Sequence, residues 1–148
     1  LTVALVYPFL HGGQAPPKIE NAQLVELSDW ARQHTDRSAV FLFPDAGRTL
    51  PPGIFRARSL RSVYTDWKSG GQVNYFPNYA REWWKRWNEA ILVPFSAERV
   101  PALASMGIDY LVLTKSTLPE NPVWSNSIYS VYQIRKEKVT DHGDSSKY

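Results

Sequence analysis

The chain of 148 residues has no cysteine. That absence excludes disulfides, thiolate metal sites and cysteine nucleophiles together, but it leaves the compartment open, because exported domains also do without cysteine. No apolar run approaches the ~20 residues that a membrane-crossing helix needs. The Walker loop, the serine-hydrolase elbow and the helical histidine pair of zinc enzymes are missing as well. Gly12-Gly13 leads into prolines, and Gly70-Gly71 does not join a strand to a helix in the register that a nucleotide phosphate requires. His11, His34 and His142 are too scattered to form a local metal constellation, and His34 is better placed to meet the carbonyls of a helix C-terminus. No catalytic residue, metal or cofactor is therefore assigned. Asp45, directly after an apolar run, and Asp66 are the carboxylates nearest to an active-site setting, yet neither has an evident nucleophile or acid–base partner. A turn-capping role for Asp45 and a basic partner for Asp66 are expected.

Aromatic and basic residues are plentiful, and they adjoin. Tyr64, Trp67, Tyr75, Phe76, Tyr79, Trp83, Trp84 and Trp87 fall within one stretch, preceded by a basic one. Residues 48–68 carry Arg48, Arg56, Arg58, Arg61 and Lys68 against a single anion, Asp66, a local charge of +4 in a chain whose net charge is +3. Arg56, Arg58, Arg61, Lys68 and the neighbouring Trp67 are the candidate binding strip. It would face an anionic lipid or an acidic protein surface, or else be a solvated face with its arginine stems lying on apolar surface. Nucleic acid is not expected, since no reading motif accompanies the cations.

The pattern of apolar runs predicts an α/β fold, with a mixed, mainly parallel sheet flanked by helices and an antiparallel C-terminal strand at the edge. A single domain over 1–136 is expected, followed by a polar tail at 137–148. Residues 1–19 read as an N-terminal strand or membrane-proximal stub plus a Gly- and Pro-rich linker. The abrupt apolar opening, Leu1 to Leu10, also fits a processed or cut chain. Helical periodicity predicts helices at 20–34, with Asn21 as N-cap, at 78–90, and at 97–106, capped by Ser96 and closed by Gly107. Strands are expected at 39–43, 61–65, 91–94 and 108–114, with 128–134 returning antiparallel, and 45–54 reads as a long loop. The helix at 78–90 presents a wide aromatic face that either packs on the sheet or meets a partner or membrane.

Several segments taken together resemble the extracytoplasmic C-terminal domains of large polytopic bacterial membrane proteins related to the lipid-sugar-using glycosyltransferases. They are Leu27-Ser28-Asp29-Trp30-Ala31-Arg32-Gln33-His34-Thr35, the apolar run Ala39 to Phe43 ending in Pro44, the Phe55-Arg56-Ala57-Arg58-Ser59-Leu60-Arg61 element, Asp66-Trp67-Lys68, and Glu82-Trp83. The similarity spans about residues 20 to 115, while the Gly-rich stretch around 69–74 has no counterpart. The resemblance implies an extracytoplasmic, periplasmic and membrane-associated bacterial domain. In such glycosyltransferases the catalytic acidic residues lie in membrane loops ahead of this region.

Three readings follow. The first is a non-catalytic extracytoplasmic domain or accessory subunit docking onto a membrane protein assembly. The second is the soluble domain of a membrane glycosyltransferase, with the basic strip meeting the phosphate of a lipid-linked sugar and a tryptophan stacking on the sugar. The third is a small-molecule hydrolase or transferase centred on Asp45.

Overall fold

The computed structural model describes residues 21–72, 75–114 and 116–135. The expected N-terminal segment at 1–19 and the polar tail at 137–148 lie outside them.

The first helix, α1 (Ala22–His34), begins where the Asn21 side chain accepts the Leu24 N–H at 2.7 Å. Its buried positions Leu24, Leu27, Ser28 and Ala31 repeat at helical spacing and give it one apolar stripe. Thr35 closes it, since both its N–H and its hydroxyl donate to the Ala31 carbonyl. After a turn held by Asp36 and Ser38 comes β1 (Val40–Leu42).

The 45–54 segment is not a loop throughout. Helix α2 (Pro51–Ser59) starts inside it, with Pro51 and Pro52 in the first turn. The two prolines signalled a break, but a first turn needs no amide donors and favours the proline φ. Phe55 and Ser59, one turn apart, then anchor the helix in the core. Leu60 ends it in the left-handed region at φ 57°, a conformation that costs a non-glycine residue about 1 kcal/mol. The chain re-enters the sheet as β2 (Ser62–Val63).

A short 3-10 turn at Lys68–Gln72 precedes α3 (Pro77–Trp87), and the expected strand at 91–94 is replaced by a π-helical turn, Asn88–Leu92, that prolongs α3. Ala90 is buried beyond Trp87 and so continues the helical stripe, whereas Leu92 and Val93 are about half exposed, which a sheet interior would not allow. Ser96 makes no side-chain cap. A 3-10 turn at Ala97–Arg99 leads into α4 (Val100–Ser105), and Gly107 follows at φ +90°. Strands β3 (Tyr110–Leu113), β4 (Trp124–Ser125) and β5 (Ser130–Gln133) complete the fold.

The five strands form one mixed sheet in the order β2-β1-β3-β5-β4. Strand β1 runs parallel to both β2 and β3, and β5 returns antiparallel against β3 and β4. Strand periodicity divides the core between the two faces. Phe41, Phe43, Tyr110 and Val112 pack with α1 and Phe55, while Leu42, Leu111 and Leu113 pack with Ala90, Leu103 and Ile108. The fold is therefore α/β, with both sheet faces covered.

Tyr129 is buried in the first of these cores, and burial, helped by the nearby Asp45 carboxylate, holds its phenol above the ordinary range, while a hydrogen bond with Asn21 opposes the shift. The folded state thus keeps this proton more tightly than the unfolded chain. The associated stability is complete below the unfolded value of about 10 and is lost as the pH rises through the folded value. Urea titrations across that range should show a smaller alkaline loss for Tyr129→Phe than for wild type. Identical losses would mean that other groups govern alkaline unfolding.

Candidate functional site: an aromatic groove with basic edges

The turn after β2 is organised by Asp66. Its buried carboxylate accepts the Ser69 N–H at 2.9 Å and Arg56 Nη1 at 2.9 Å, so the expected basic partner is Arg56. Its carbonyl accepts the Ser69 hydroxyl and, at 3.0 Å, the indole N–H of Trp83 from α3. One residue thereby fastens the 66–71 segment to α2 and α3, and it leaves Trp67 and Lys68 facing outward.

The tryptophans behind this turn form a continuous cluster. Trp83 and Trp87 stack with centroids 5.5 Å apart, and Trp67 lies 5.6 Å from Trp87 and 6.1 Å from Trp83. Trp83 and Trp87 are buried, as core packing of α3 requires, but Trp84 remains 54% exposed and Phe76 59% exposed. The aromatic face is thus divided, one part buried against Trp67 and the other left exposed.

Between the loop after β1, the 66–71 turn and α3 lies a groove of about 540 Å³, lined by Arg48, Leu50, Trp67, Lys68, Gly70, Gly71, Trp83 and Trp84. The Arg48 guanidinium sits 4.6 Å from the Trp67 ring centroid, a cation–π contact. Gly70 lies so close against Trp83 that the backbone itself forms part of the wall. Arg48, Lys68 and Arg81 form no ion pair with a described carboxylate. Arg81 is exposed on the same flank of α3 as Trp84, one turn earlier, and donates to the Asn78 side chain. Flat apolar faces beside cations that no described carboxylate pairs suit a partner that is apolar or cyclic in part and anionic in part.

The candidate strip does not form one surface. Arg56 is committed to Asp66, and Arg58 pairs with Asp29 at 3.3 Å. Arg61 is buried and donates to the carbonyls of Arg32 and Thr35 at 2.7 Å each. Only Lys68 and Trp67 reach the groove, where they meet Arg48, Leu50 and Trp84, which were outside the strip. Arg48 belonged to the same charge excess. Its place beside Trp67 follows from the fold, which returns the 44–50 loop to the 66–71 turn.

Asp45 stands at the carboxyl end of β1, and its Oδ2 accepts the Thr114 N–H at 2.8 Å, tying the ends of β1 and β3 together. His34 makes the helix-end contact expected of it, with Nδ1 3.0 Å from the Trp30 carbonyl. Among the described residues there is no grouping of side chains able to hold a metal ion, and no helix is long and apolar enough to cross a membrane.

These features define the class: a mixed α/β domain with an aromatic groove bordered by cations. The profile of a family described as a domain of unknown function (DUF6798) matches residues 22–90, a span running from α1 through α3 that contains every residue lining the groove. No curated protein and no solved structure matches the chain.

Proposed function

We propose that the chain is a non-catalytic, extracytoplasmic domain or accessory subunit that docks onto a membrane protein assembly by its groove side. The observation that carries this reading is the exposed cluster of Trp84, Trp67 and Leu50 beside Arg48 and Lys68. Apolar rings supply contact energy once dried, and exposed cations supply steering and salt-sensitive attraction. The extracytoplasmic, periplasmic placement rests on the sequence resemblance.

Exposed cations contribute only about 0–1 kcal/mol each, so the test removes three together. The variant Arg48→Ala/Lys68→Ala/Arg81→Ala should lose most of its co-purification with native membranes at low salt. The control Arg58→Ala should retain it, because that guanidinium pairs with Asp29 and does not line the groove. Equal retention of both folded variants at low and high salt would make the groove side a solvated face.

The concavity of the groove favours a second reading, in which the domain belongs to a membrane glycosyltransferase and contacts its lipid-linked sugar. A pyranose ring would stack on Trp67 or Trp84, with its phosphate between Arg48 and Lys68. Saturable binding of a soluble sugar phosphate, abolished by Trp84→Ala, would select this reading over docking.

A further inference from the structure

We infer that the groove side of the domain seats on the headgroup layer of an anionic phospholipid bilayer, so that lipid itself is the occupant of this surface. The inference rests on the docking reading and names the partner. Three observations carry it.

The first is the kind of side chain exposed. Trp67 and Trp84 each join a flat apolar body to a polar edge, and they are 37% and 54% exposed. Such rings are most stable at a boundary that is wet on one side and hydrocarbon on the other. The second is the relation of cations to rings. Arg48 lies over Trp67, Lys68 follows it in sequence, and Arg81 precedes Trp84 by one helical turn, so each cation has an aromatic neighbour. Long basic side chains of this kind extend along apolar surface and place their charge at phosphate level, whereas lysine is depleted from the dry centre of protein–protein contacts.

The third observation is shape and charge together. A groove of about 540 Å³ between Arg48 and Lys68 has room for a phosphate headgroup, and among the described residues no carboxylate lines it. At the N-terminal end of α3, Tyr75 and Phe76 are 77% and 59% exposed, the largest exposures among the aromatics of the α3 region. Phe76, with no polar atom, is the ring suited to enter below the phosphates. An acidic protein face would satisfy the cations but gives Phe76 and Tyr75 no matching solvent boundary, which is why lipid is favoured.

The test uses the purified chain with protein-free vesicles. Vesicles of phosphatidylcholine mixed with phosphatidylglycerol should sediment the protein at low salt, and phosphatidylcholine alone should not. Arg48→Ala/Lys68→Ala, and separately Phe76→Ser/Trp84→Ala, should each weaken binding by at least about tenfold, since charge and ring insertion both contribute. Brominated acyl chains should quench wild-type tryptophan fluorescence, and less so in Trp84→Ala. The inference is overturned by absence of vesicle binding, by equal binding to both vesicle types, by insensitivity to both variants, or by inorganic phosphate displacing the protein as effectively as lipid does. If vesicles fail while recovery with native membranes persists and still depends on Arg48, Lys68 and Arg81, docking stands and its partner is a protein. If both fail, the docking reading falls too.

Discussion

Replacing Arg61 with lysine should destabilise the domain by about 3 kcal/mol although the charge is kept. The guanidinium spans two helix ends. Its Nη2 donates to the carbonyls of Arg32 and Thr35, both at 2.7 Å, its Nε donates to Thr35 Oγ1 at 3.0 Å, and its Nη1 approaches the carbonyls of Ser59 and Leu60 at 3.4 Å. Those carbonyls lie at the C-termini of α1 and α2, where helix geometry leaves acceptors without intrahelical donors. A cation there also meets the negative ends of two helix dipoles. Lysine offers one nitrogen on a flexible stem and cannot reach both helices at once, and charge-assisted bonds to buried acceptors are worth about 1.5–3 kcal/mol each. Urea unfolding should show a lower midpoint with an unchanged slope. A loss below about 0.5 kcal/mol, the range of ordinary surface substitutions, would mean that the bridge contributes little. Because this arginine is structural, its substitution cannot report on binding, and a mutant lacking it would confuse misfolding with lost contact.

Elements whose burial is periodic were legible before any coordinate. The buried stripe of α1 and its Asn21 cap follow directly from the sequence, as do the continuous apolar runs of β1 and β3, which need cover on both faces because both strands are central. The failures lie where local signals have two physical meanings. Pro51-Pro52 marks either a loop or the first turn of a helix, and the buried Phe55 and Ser59 beyond it decide for the helix. Ile91 to Val93 has strand-like composition, but a π-helical turn carries the buried stripe of α3 past Trp87 to Ala90 and leaves Leu92 outside.

The site was legible as a composition and not as a surface. Charge counting along the sequence finds the excess over residues 48–68 but cannot tell which cations are consumed internally, because the partners Asp29, Arg32 and Thr35 come from α1 and its C-cap, 26 or 29 residues upstream. The aromatic stretch was likewise ambiguous between core and contact. Consecutive Trp83 and Trp84 divide those roles: neighbours on a helix point about 100° apart, and Trp83 stacks on Trp87 while Trp84 stays exposed. Arg48 and Leu50 join the site only when the loop after β1 folds back on the 66–71 turn, a proximity that no local pattern encodes.

The joint between that turn and α3 is where a single methyl group should do most damage. A Cβ added at Gly70 would lie 2.5 Å from Cζ2 of Trp83 and 2.8 Å from both Cε2 and Cη2, closer than nonbonded atoms approach. The indole cannot swing aside freely, because its N–H is held by the Asp66 carbonyl at 3.0 Å and its face stacks on Trp87. Gly70→Ala should therefore cost about 1–3 kcal/mol through overpacking, with about 1 kcal/mol more if the Trp83 hydrogen bond breaks. It should also narrow the groove, since Gly70 and Trp83 both line it. A double-mutant cycle separates this mechanism from a general backbone effect of alanine. In a Trp83→Phe background the smaller ring leaves room, so Gly70→Ala should be tolerated and the two changes should be strongly non-additive. Additive losses would show that the close approach of Gly70 to Trp83 does not set the stability of this wall.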